Sequence, residues 1–171
     1  MTGSPPRECQ LRPARPEDEV VILEWRNAPW GVALSGTGRA VSPEEHGRWF
    51  SQTLAGVARR LFVIEEQGRP VGMIRYDVVG KAAVEITILV LPERVGAGLG
   101  TAAFRHSLAL MAGWRPLRTI LARVLRSNSR SLAFFRHLGF AIVEDDGTSS
   151  LVRLELAVGG GDDLPPEGIQ I

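Results

Sequence analysis

The segment LPERVGAGLGTAAF, residues 91–104, constrains the fold most, because three glycines at alternate positions separate a strand-like run from a helix-like one. At Gly96, Gly98 and Gly100 a side chain is absent, which lets a backbone approach something closely. The first turn of the following helix has free N–H donors and a partial positive charge, and both attract anions. The segment is therefore either a tight turn or a phosphate cradle.

Two common phosphate-binding loops do not fit this segment. A nucleoside-triphosphate loop ends in Gly-Lys-Ser/Thr, whereas Gly100 is followed directly by Thr101. A dinucleotide loop follows the first strand of a βαβ unit, whereas this cluster lies in the middle of the chain, after a predicted antiparallel meander. Neither loop type explains the glycines, and a plain strand-to-helix turn stays open.

The periodicity along the chain predicts elements in the order β α α βββ α β α ββ. QLRPA is the first strand, a helix begins near Pro16, and a loop or broken helix covers APWGVALSGTGRAV. The next helix has Ser42 as N-cap, Pro43 at its first position and Glu45 at the capping-box position. Asn128 and Gly139 bound the last helix, and a hairpin follows. This order predicts an α+β fold with a mixed, mostly antiparallel central sheet flanked by helices on both faces.

Composition favours one globular domain, since 44% of the 171 residues are hydrophobic. We predict a flexible N-terminus at 1–9, a single domain at 10–158 and a loosely attached tail, rich in glycine and acid, at 159–171. The net charge of +1, from 20 basic and 19 acidic residues, gives no general attraction to nucleic acid or to anionic membranes.

The single cysteine, Cys9, excludes an intrachain disulfide and a cysteine-based zinc cluster, and we predict no metal. The chain has no apolar run long enough to span a bilayer and no signal-peptide pattern, so we expect a cytoplasmic protein.

Two segments together, VLPERVGAGLG and NSRSLAFFRHLGF, resemble the acetyl-CoA-binding signatures of the GCN5-related N-acetyltransferases. The first is a V-x-P-E-x-[RQ]-G-x-G-x-[GA] loop after the fourth strand, and the second an N-x-x-[SA] helix that ends in Gly-Phe. The residues that carry the resemblance are Val90, Pro92, Glu93, Gly96, Gly98, Gly100, Asn128, Ser131, Gly139 and Phe140. It implies an N-acetyltransferase in which strands 4 and 5 splay apart to hold acetyl-CoA.

The resemblance also implies roles for individual positions. Leu89 and Val90 would pair with the pantetheine arm, and Asn128 and Ser131 would line the other wall. Arg94 or Arg130 could meet a phosphate. The pyrophosphate would lie on the backbone of Val95, Gly96, Ala97, Gly98, Leu99, Gly100 and Thr101.

The chain departs from the family pattern at two positions. The Arg or Gln that usually opens the loop is Val95, which predicts weaker or altered phosphate contact. The tyrosine that many members place seven residues after the asparagine, as acid for the leaving thiolate, is Phe135. Phe135 has no proton to donate, and we expect a slower or water-assisted step, since a thiolate can take its proton from water.

Glu85 and His46 are the candidate general bases. Glu85 alternates with apolar residues on the strand VEITILV, which leads to the thioester site, and His46 has an ordinary pKa of about 6.5, which suits a base at neutral pH. A glutamate on a half-buried strand is otherwise solvated or ion-paired, and a lone histidine on a capped helix otherwise packs or lies at the surface. The backbone N–H near Val90 would hold the oxyanion.

The acceptor region, LEWRNAPWGVALSGTGRAVSPEEHGRWF, resembles that of the sugar-nucleotide N-acetyltransferases of the pseudaminic acid pathway. The resemblance implies that Trp25, Arg26, His46 and Trp49 contact the acceptor, a UDP-linked 4-amino-4,6-dideoxy sugar. The two tryptophans could equally occupy core faces of their helices.

Two other functions stay open: a ribosomal-protein-type N-terminal acetyltransferase, and an acetyl-CoA-binding module without catalysis, suggested by Val95 and Phe135. We expect a small-molecule amine as partner and either a monomer or a homodimer. Apolar residues of the last hairpin, LVRLELAV, would pair across the two-fold axis if they are exposed.

Overall fold

A seven-stranded sheet organises residues 9–156, the part of the chain that the computed structural model describes. The strands are β1 (Cys9–Pro13), β2 (Arg59–Glu66), β3 (Arg69–Gly80), β4 (Ala83–Val90), β5 (Thr119–Leu125), β6 (Ala141–Asp145) and β7 (Ser149–Glu155). The helices are α1 (Glu19–Asn27), α2 (Pro29–Leu34), α3 (Pro43–Ala55), α4 (Leu99–Ala112) and α5 (Ser129–His137), with 3-10 turns at Pro16–Asp18 and Pro92–Arg94. The predicted α+β fold is confirmed, and the predicted element order holds apart from α2, a short helix within the segment predicted as a loop or broken helix. The predicted terminal segments lie outside the described residues, except that Cys9 already belongs to β1.

The strand order in the sheet is β1-β2-β3-β4-β5-β7-β6. Every neighbouring pair is antiparallel except β4 and β5, which are parallel. The connection from β4 to β5 must therefore cross the sheet, and α4 makes that crossing. The predicted meander of three strands is β2, β3 and β4.

Side-chain caps begin two of the helices where the sequence predicted them. Ser42 Oγ accepts the Glu45 N–H at 3.1 Å at the start of α3, and Asn128 Oδ1 accepts the Ser131 N–H at 3.0 Å at the start of α5. The predicted capping box is wrong in its second half, because the Glu45 carboxylate pairs with Arg39 at 2.8 Å instead of reaching back to Ser42.

Alternation along the strands divides the core into two layers. One layer lies between the sheet and helices α4 and α5, and it contains Ile74, Tyr76, Val84, Phe104 and Ile120. The smaller layer lies between the sheet and helices α1 and α3, and it contains Ile22, Trp25, Phe50, Leu61, Val63 and Met73. The face of β2, β3 and β4 that packs against this second layer also carries the polar residues of the candidate site.

The predicted exposure of the last hairpin is wrong for β7. Leu151 and Val152 are buried, at 9% and 0% exposure, because β7 is an interior strand between β5 and β6. The exposed apolar side chains of the hairpin are Ile142 and Val143, which lie on the edge strand β6. Within residues 9–156, no helix is long and apolar enough to cross a membrane.

Candidate active site

Strands β4 and β5 separate part-way along their length. They pair only where Ala83–Glu85 meet Thr119–Leu121. Beyond that point β4 stays paired with β3 as far as Val90, and β5 stays paired with β7 as far as Leu125. Because each strand is held on its outer side alone, a wedge-shaped opening forms between them, and Glu85 is the last residue of β4 that pairs with β5.

The β4 backbone directs hydrogen-bonding groups into this opening. The Leu91 N–H donates to the Val71 carbonyl at 2.9 Å, so the backbone N–H and carbonyl groups of odd-numbered residues at this end of β4 point towards β3. Successive backbone groups of a strand point in opposite directions within the sheet plane. The N–H of Val90, the predicted oxyanion donor, is therefore directed towards the side on which β5 has moved away.

The glycine cluster joins β4 to α4 at the end of the opening. Gly96 and Gly98 have φ angles of +87° and +78°, in the left-handed region that other residues enter only at a cost. Gly98 is the N-cap of α4, so this helix start has no side-chain cap, unlike those of α3 and α5. The N–H groups of the first turn of α4 are consequently left for an external acceptor.

The start of α4 packs closely against α5 through Gly100. A β-carbon at this position would lie 3.1 Å from Cε2 of Phe134, which is tighter than ordinary packing allows. Gly100 thus brings the first turns of the two helices together beside the opening. Together with the backbone of Gly96 and Gly98, Gly100 leaves a helix start without side chains or a cap, a geometry that suits an anionic group.

The cationic residues predicted near the phosphates differ in their surroundings. Arg94 is bound to the buried Glu66, with 3.3 Å between Nε and Oε2, and this pair ties the loop to the end of β2. Arg130 is exposed on the first turn of α5. Val95, at the position where the family signature has Arg or Gln, is 39% exposed and contributes no charge.

The α5 residues of the second signature have mainly structural contacts. Asn128 uses its Oδ1 for the helix cap, as described above, and Ser131 supplies the N–H. Phe135 is buried at 4% exposure, and its ring meets those of Phe134 and Phe140 edge-on at 5.2 and 5.0 Å between centroids. Phe135 is therefore a core residue, and these contacts give no support to a direct role in cofactor binding.

Glu85 lies at the narrow end of the opening. Its neighbours Val84 and Ile86 point into the α4/α5 core, while Glu85 points to the opposite face and is half-buried. Its cross-strand partner on β3 is Asp77. The predicted alternation is confirmed, and it places this carboxylate where the two strands begin to separate.

Beside Glu85 lies an ion-pair network that sequence reasoning missed. Asp77 accepts from Arg59 Nε at 2.7 Å and from Arg75 Nε at 2.6 Å, one bond to each carboxylate oxygen. Arg75 also donates to Thr87 Oγ1 at 3.3 Å, and its guanidinium lies 5.7 Å from the Trp49 ring. The four polar residues come from three strands, so only the register brings them together.

The predicted acceptor residues on α1 and α3 divide into packed and accessible ones. Trp25 is 7% exposed and belongs to the α1/α3 core, whereas Trp49 is half-buried beside Arg75. Arg26 donates to Thr37 at 2.9 Å across the loop that follows α2. Asn27, which sequence reasoning missed, fixes the same loop by bonding both the N–H and the carbonyl of Val41, at 2.9 and 2.8 Å.

His46 lies between α1 and α3 and is 4% exposed. Its Nε2 is 3.1 Å from the Glu19 carbonyl oxygen, so this nitrogen carries the proton and donates. The ring is 5.3 Å from Trp49 and 5.8 Å from Phe50. Burial lowers the pKa of His46, and the Arg26 charge lowers it further, while the contacts with Glu19 oppose the shift. This environment favours a packing role over the predicted catalytic or acceptor-binding one.

The lowered pKa of His46 predicts a specific loss of stability in mild acid. Between the ordinary pKa of 6.5 and the lower folded-state value, the unfolded chain binds a proton that the folded chain does not, so stability falls as pH drops through this window. We expect urea unfolding to show a smaller drop between pH 7.5 and pH 5 for His46→Gln than for the wild type. His106→Gln, at an exposed position, is the control and should keep the wild-type drop. An unchanged drop in His46→Gln contradicts the prediction.

A hollow of about 400 Å³ lies beyond the opening, on the side of β5 and β7. Its wall is formed by Arg123, Glu144, Asp145, Asp146, Ser149 and Leu151. The two aspartates already bind the β6–β7 turn: Asp145 accepts from the Gly147 N–H and Asp146 from the Thr148 and Ser149 N–H groups. Among residues 9–156, no three His, Cys, Asp or Glu side chains converge as metal ligands would.

A sequence profile described as the acetyltransferase (GNAT) family matches residues 20–140, which include the strand separation, the glycine loop and α5. The chain belongs to this family. It is therefore an acetyl-CoA-dependent N-acetyltransferase, as the sequence signatures predicted. The match does not extend to an acceptor, so the acceptor stays a prediction.

Solved structures share the fold at low sequence identity. An acetyltransferase from Thermus thermophilus is 25% identical with a TM-score of 0.72, and the match covers 86% of this chain and 97% of that one. Spermidine N-acetyltransferase from Vibrio cholerae, solved with CoA and spermine, is 17% identical with a TM-score of 0.75, covering 86% and 95%. The Salmonella typhimurium acetyltransferase yncA, solved with acetyl-CoA, is 20% identical with a TM-score of 0.72, covering 91% and 98%. No curated protein sequence matches this chain.

Proposed function

We propose that the opening between β4 and β5 is the site at which an acetyl group moves from acetyl-CoA to a primary amine by direct attack. The observation that carries the proposal is the separation of the two strands immediately after Glu85. Three groups surround the resulting cleft: the Glu85 carboxylate, the Val90 backbone that faces away from β3, and the uncapped start of α4.

The chain offers a complementary surface to two parts of acetyl-CoA, the pyrophosphate and the pantetheine arm. The backbone from Val95 to Thr101 would hold the pyrophosphate, because glycine geometry and the free N–H groups of α4 favour an anion there. The backbone of Val90, which faces the opening, would pair with a pantetheine amide, and Leu89, whose backbone groups face β3, would hold Val90 in place. Bound there, acetyl-CoA supplies an activated acyl thioester.

The residues around the opening have separate tasks in this reaction. Glu85 would accept the proton that the amine loses, and the Val90 N–H would donate to the oxygen on which negative charge develops. Phe135 is buried and has no acidic proton, so the departing thiolate would be protonated by water. A thiol has an ordinary pKa near 8.5, about two units below that of an alkylamine. Lacking an acid for the thiolate therefore slows the reaction less than lacking a base for the amine would.

Three acceptor classes follow from the sequence and the relatives. The W-R-N and H-x-x-W pattern favours the 4-amino group of a UDP-linked amino-dideoxy sugar, and it is supported by the half-buried Trp49 beside Arg75 and by Arg26, which contacts the loop after α2. Trp25 and His46 give less support because both are buried in helix packing. A protein N-terminus is the second class, and the likeness to a spermidine N-acetyltransferase makes polyamines the third.

Thiol release from acetyl-CoA, measured against an amine panel, tests the proposal. The panel holds UDP-4-amino-dideoxy sugars, peptides with free N-termini, polyamines, amino acids and aminoglycosides. Amine-dependent thiol release with one class, and an N-acetylated product by mass spectrometry, is the expected result. Acetyl-CoA binding by calorimetry without thiol release from any amine contradicts the proposal and favours a non-catalytic acetyl-CoA-binding module.

A further inference from the structure

We infer that the acceptor carries an anionic group close to its amine, and that Arg75 binds this group. The inference rests on the proposed function, since it takes Glu85 as the point to which the amine comes. It concerns a specificity residue that neither the sequence signatures nor the family profile assigns.

Arg75 is fixed beside the opening by three neighbours. Its Nε bonds Asp77, one of its terminal nitrogens bonds Thr87, and its guanidinium lies near the Trp49 ring. Thr87 is the residue of β4 that follows Glu85 on the same face, just beyond the last pairing with β5. The guanidinium is therefore held at the edge of the cleft.

Two guanidinium groups share the carboxylate of Asp77, because Arg59 and Arg75 each bond one of its oxygens through Nε. Each guanidinium therefore keeps N–H groups that Asp77 does not occupy. The Arg75 side chain is 28% exposed, so an incoming molecule can reach it. A guanidinium with one edge occupied can still bind a carboxylate or phosphate through its remaining N–H groups.

The strand register sets the distance between Glu85, which would receive the amine, and Arg75, which would bind the anion. Arg75 pairs with Thr87, so Glu85 is its diagonal neighbour across the strand pair. Diagonal neighbours in a sheet lie roughly 7–8 Å apart. An acceptor whose amine and anion are separated by a few bonds, such as an amino acid or an amino-sugar phosphate, can reach Glu85 with one end and Arg75 with the other.

Matched acceptors that differ only in the anion test the inference. L-Alanine, β-alanine and γ-aminobutyrate are each compared with the corresponding amide, and galactosamine 1-phosphate with galactosamine, which separates carboxylate from phosphate recognition. We expect the wild type to prefer one charged member by about tenfold or more in kcat/KM, as the loss of a charge-assisted hydrogen bond implies. Arg75→Gln should lose this preference while its KM for acetyl-CoA stays unchanged, and Arg75→Lys should keep part of it.

Arg48→Gln is the matched control, because Arg48 is exposed and its partner is Glu44 on the same helix. It should keep the full preference of the wild type. Equal use of the charged and neutral acceptors by the wild type, or a preference that survives in Arg75→Gln, overturns the inference.

Acceptor binding, measured by calorimetry in the presence of CoA, separates this inference from the proposed function. Binding of a charged acceptor that Arg75→Gln weakens, without turnover, supports the role of Arg75 and contradicts the proposed reaction. Turnover of uncharged amines alone supports the reaction and contradicts the role of Arg75.

Discussion

Replacing Glu85 with glutamine is expected to lower kcat by about 10²- to 10⁴-fold, the range that a positioned general base contributes. Glutamine keeps the size of the side chain and leaves the buried neighbours Val84 and Ile86 in place. It cannot accept a proton from the attacking amine. Because Glu85 lies on the opposite face of the sheet from α4, the KM for acetyl-CoA should stay near its wild-type value.

The pH dependence of the Glu85→Gln defect distinguishes a lost base from a distorted site. An alkylamine with a pKa of about 10.4 is mostly protonated at pH 7, and its reactive fraction rises about tenfold for each pH unit up to that pKa. The defect should therefore narrow between pH 7 and pH 9.5. Glu44→Gln, which removes an exposed ion pair with Arg48, should retain wild-type kcat. A kcat of Glu85→Gln within threefold of the wild-type value, or a loss of kcat that does not change with pH, contradicts the general-base role of Glu85.

Local signals in the sequence were sufficient for the elements of this fold. Ser42 and Asn128 cap helices because their short side chains accept a backbone N–H, an interaction within four residues of the chain. The glycines of the loop were informative for the same reason, since a positive φ is a property of one residue. Glu85 could be assigned to a face because side chains in a strand alternate with a period of two.

The polar network beside Glu85 could not be predicted in the same way. Arg59 and Asp77 are 18 residues apart in sequence and meet only because β2 and β3 pair in one particular register. A shift by one residue would turn every side chain of the strand to the other face. The charge of a residue did not predict its partner, because the arginines of this chain lie in many environments, from the half-buried Arg94, paired with the buried Glu66, to exposed positions such as Arg130.

Helical periodicity was equally unable to separate ligand-binding residues from core residues on α1 and α3. Trp25 and His46 occupy apolar faces at the spacing that an acceptor-binding helix would also show. Only the tertiary contacts reveal that the Nε2 proton of His46 is bound by a carbonyl of α1. Trp49, which packs against the same layer, stays partly accessible beside Arg75.

Gly72→Ala is expected to destabilise the protein by about 1–3 kcal/mol or more, the cost of overpacking a tight core. Gly72 lies in β3 opposite Val90, and a methyl group there would collide with the Leu89 carbonyl oxygen and lie 3.1 Å from the Val90 Cα. Both obstacles are backbone atoms, which cannot move aside as a flexible side chain can. The matched control is Gly36→Ala, where no atom lies within 4 Å of the added carbon, and its unfolding free energy should be unchanged or slightly raised.

Gly72→Ala should also weaken catalysis, and this links the close strand contact to the site. The methyl group can be accommodated only if the last residues of β4 move away from β3, towards the opening that Leu89 and Val90 line. The Val90 N–H and the start of the glycine loop would move with them, so both kcat and the KM for acetyl-CoA should worsen in the protein that remains folded. Urea unfolding together with steady-state kinetics measures the two effects. If Gly72→Ala were destabilised yet showed wild-type kcat and KM, the end of β4 would be independent of the reaction, and the roles proposed for Leu89 and Val90 would have to be abandoned.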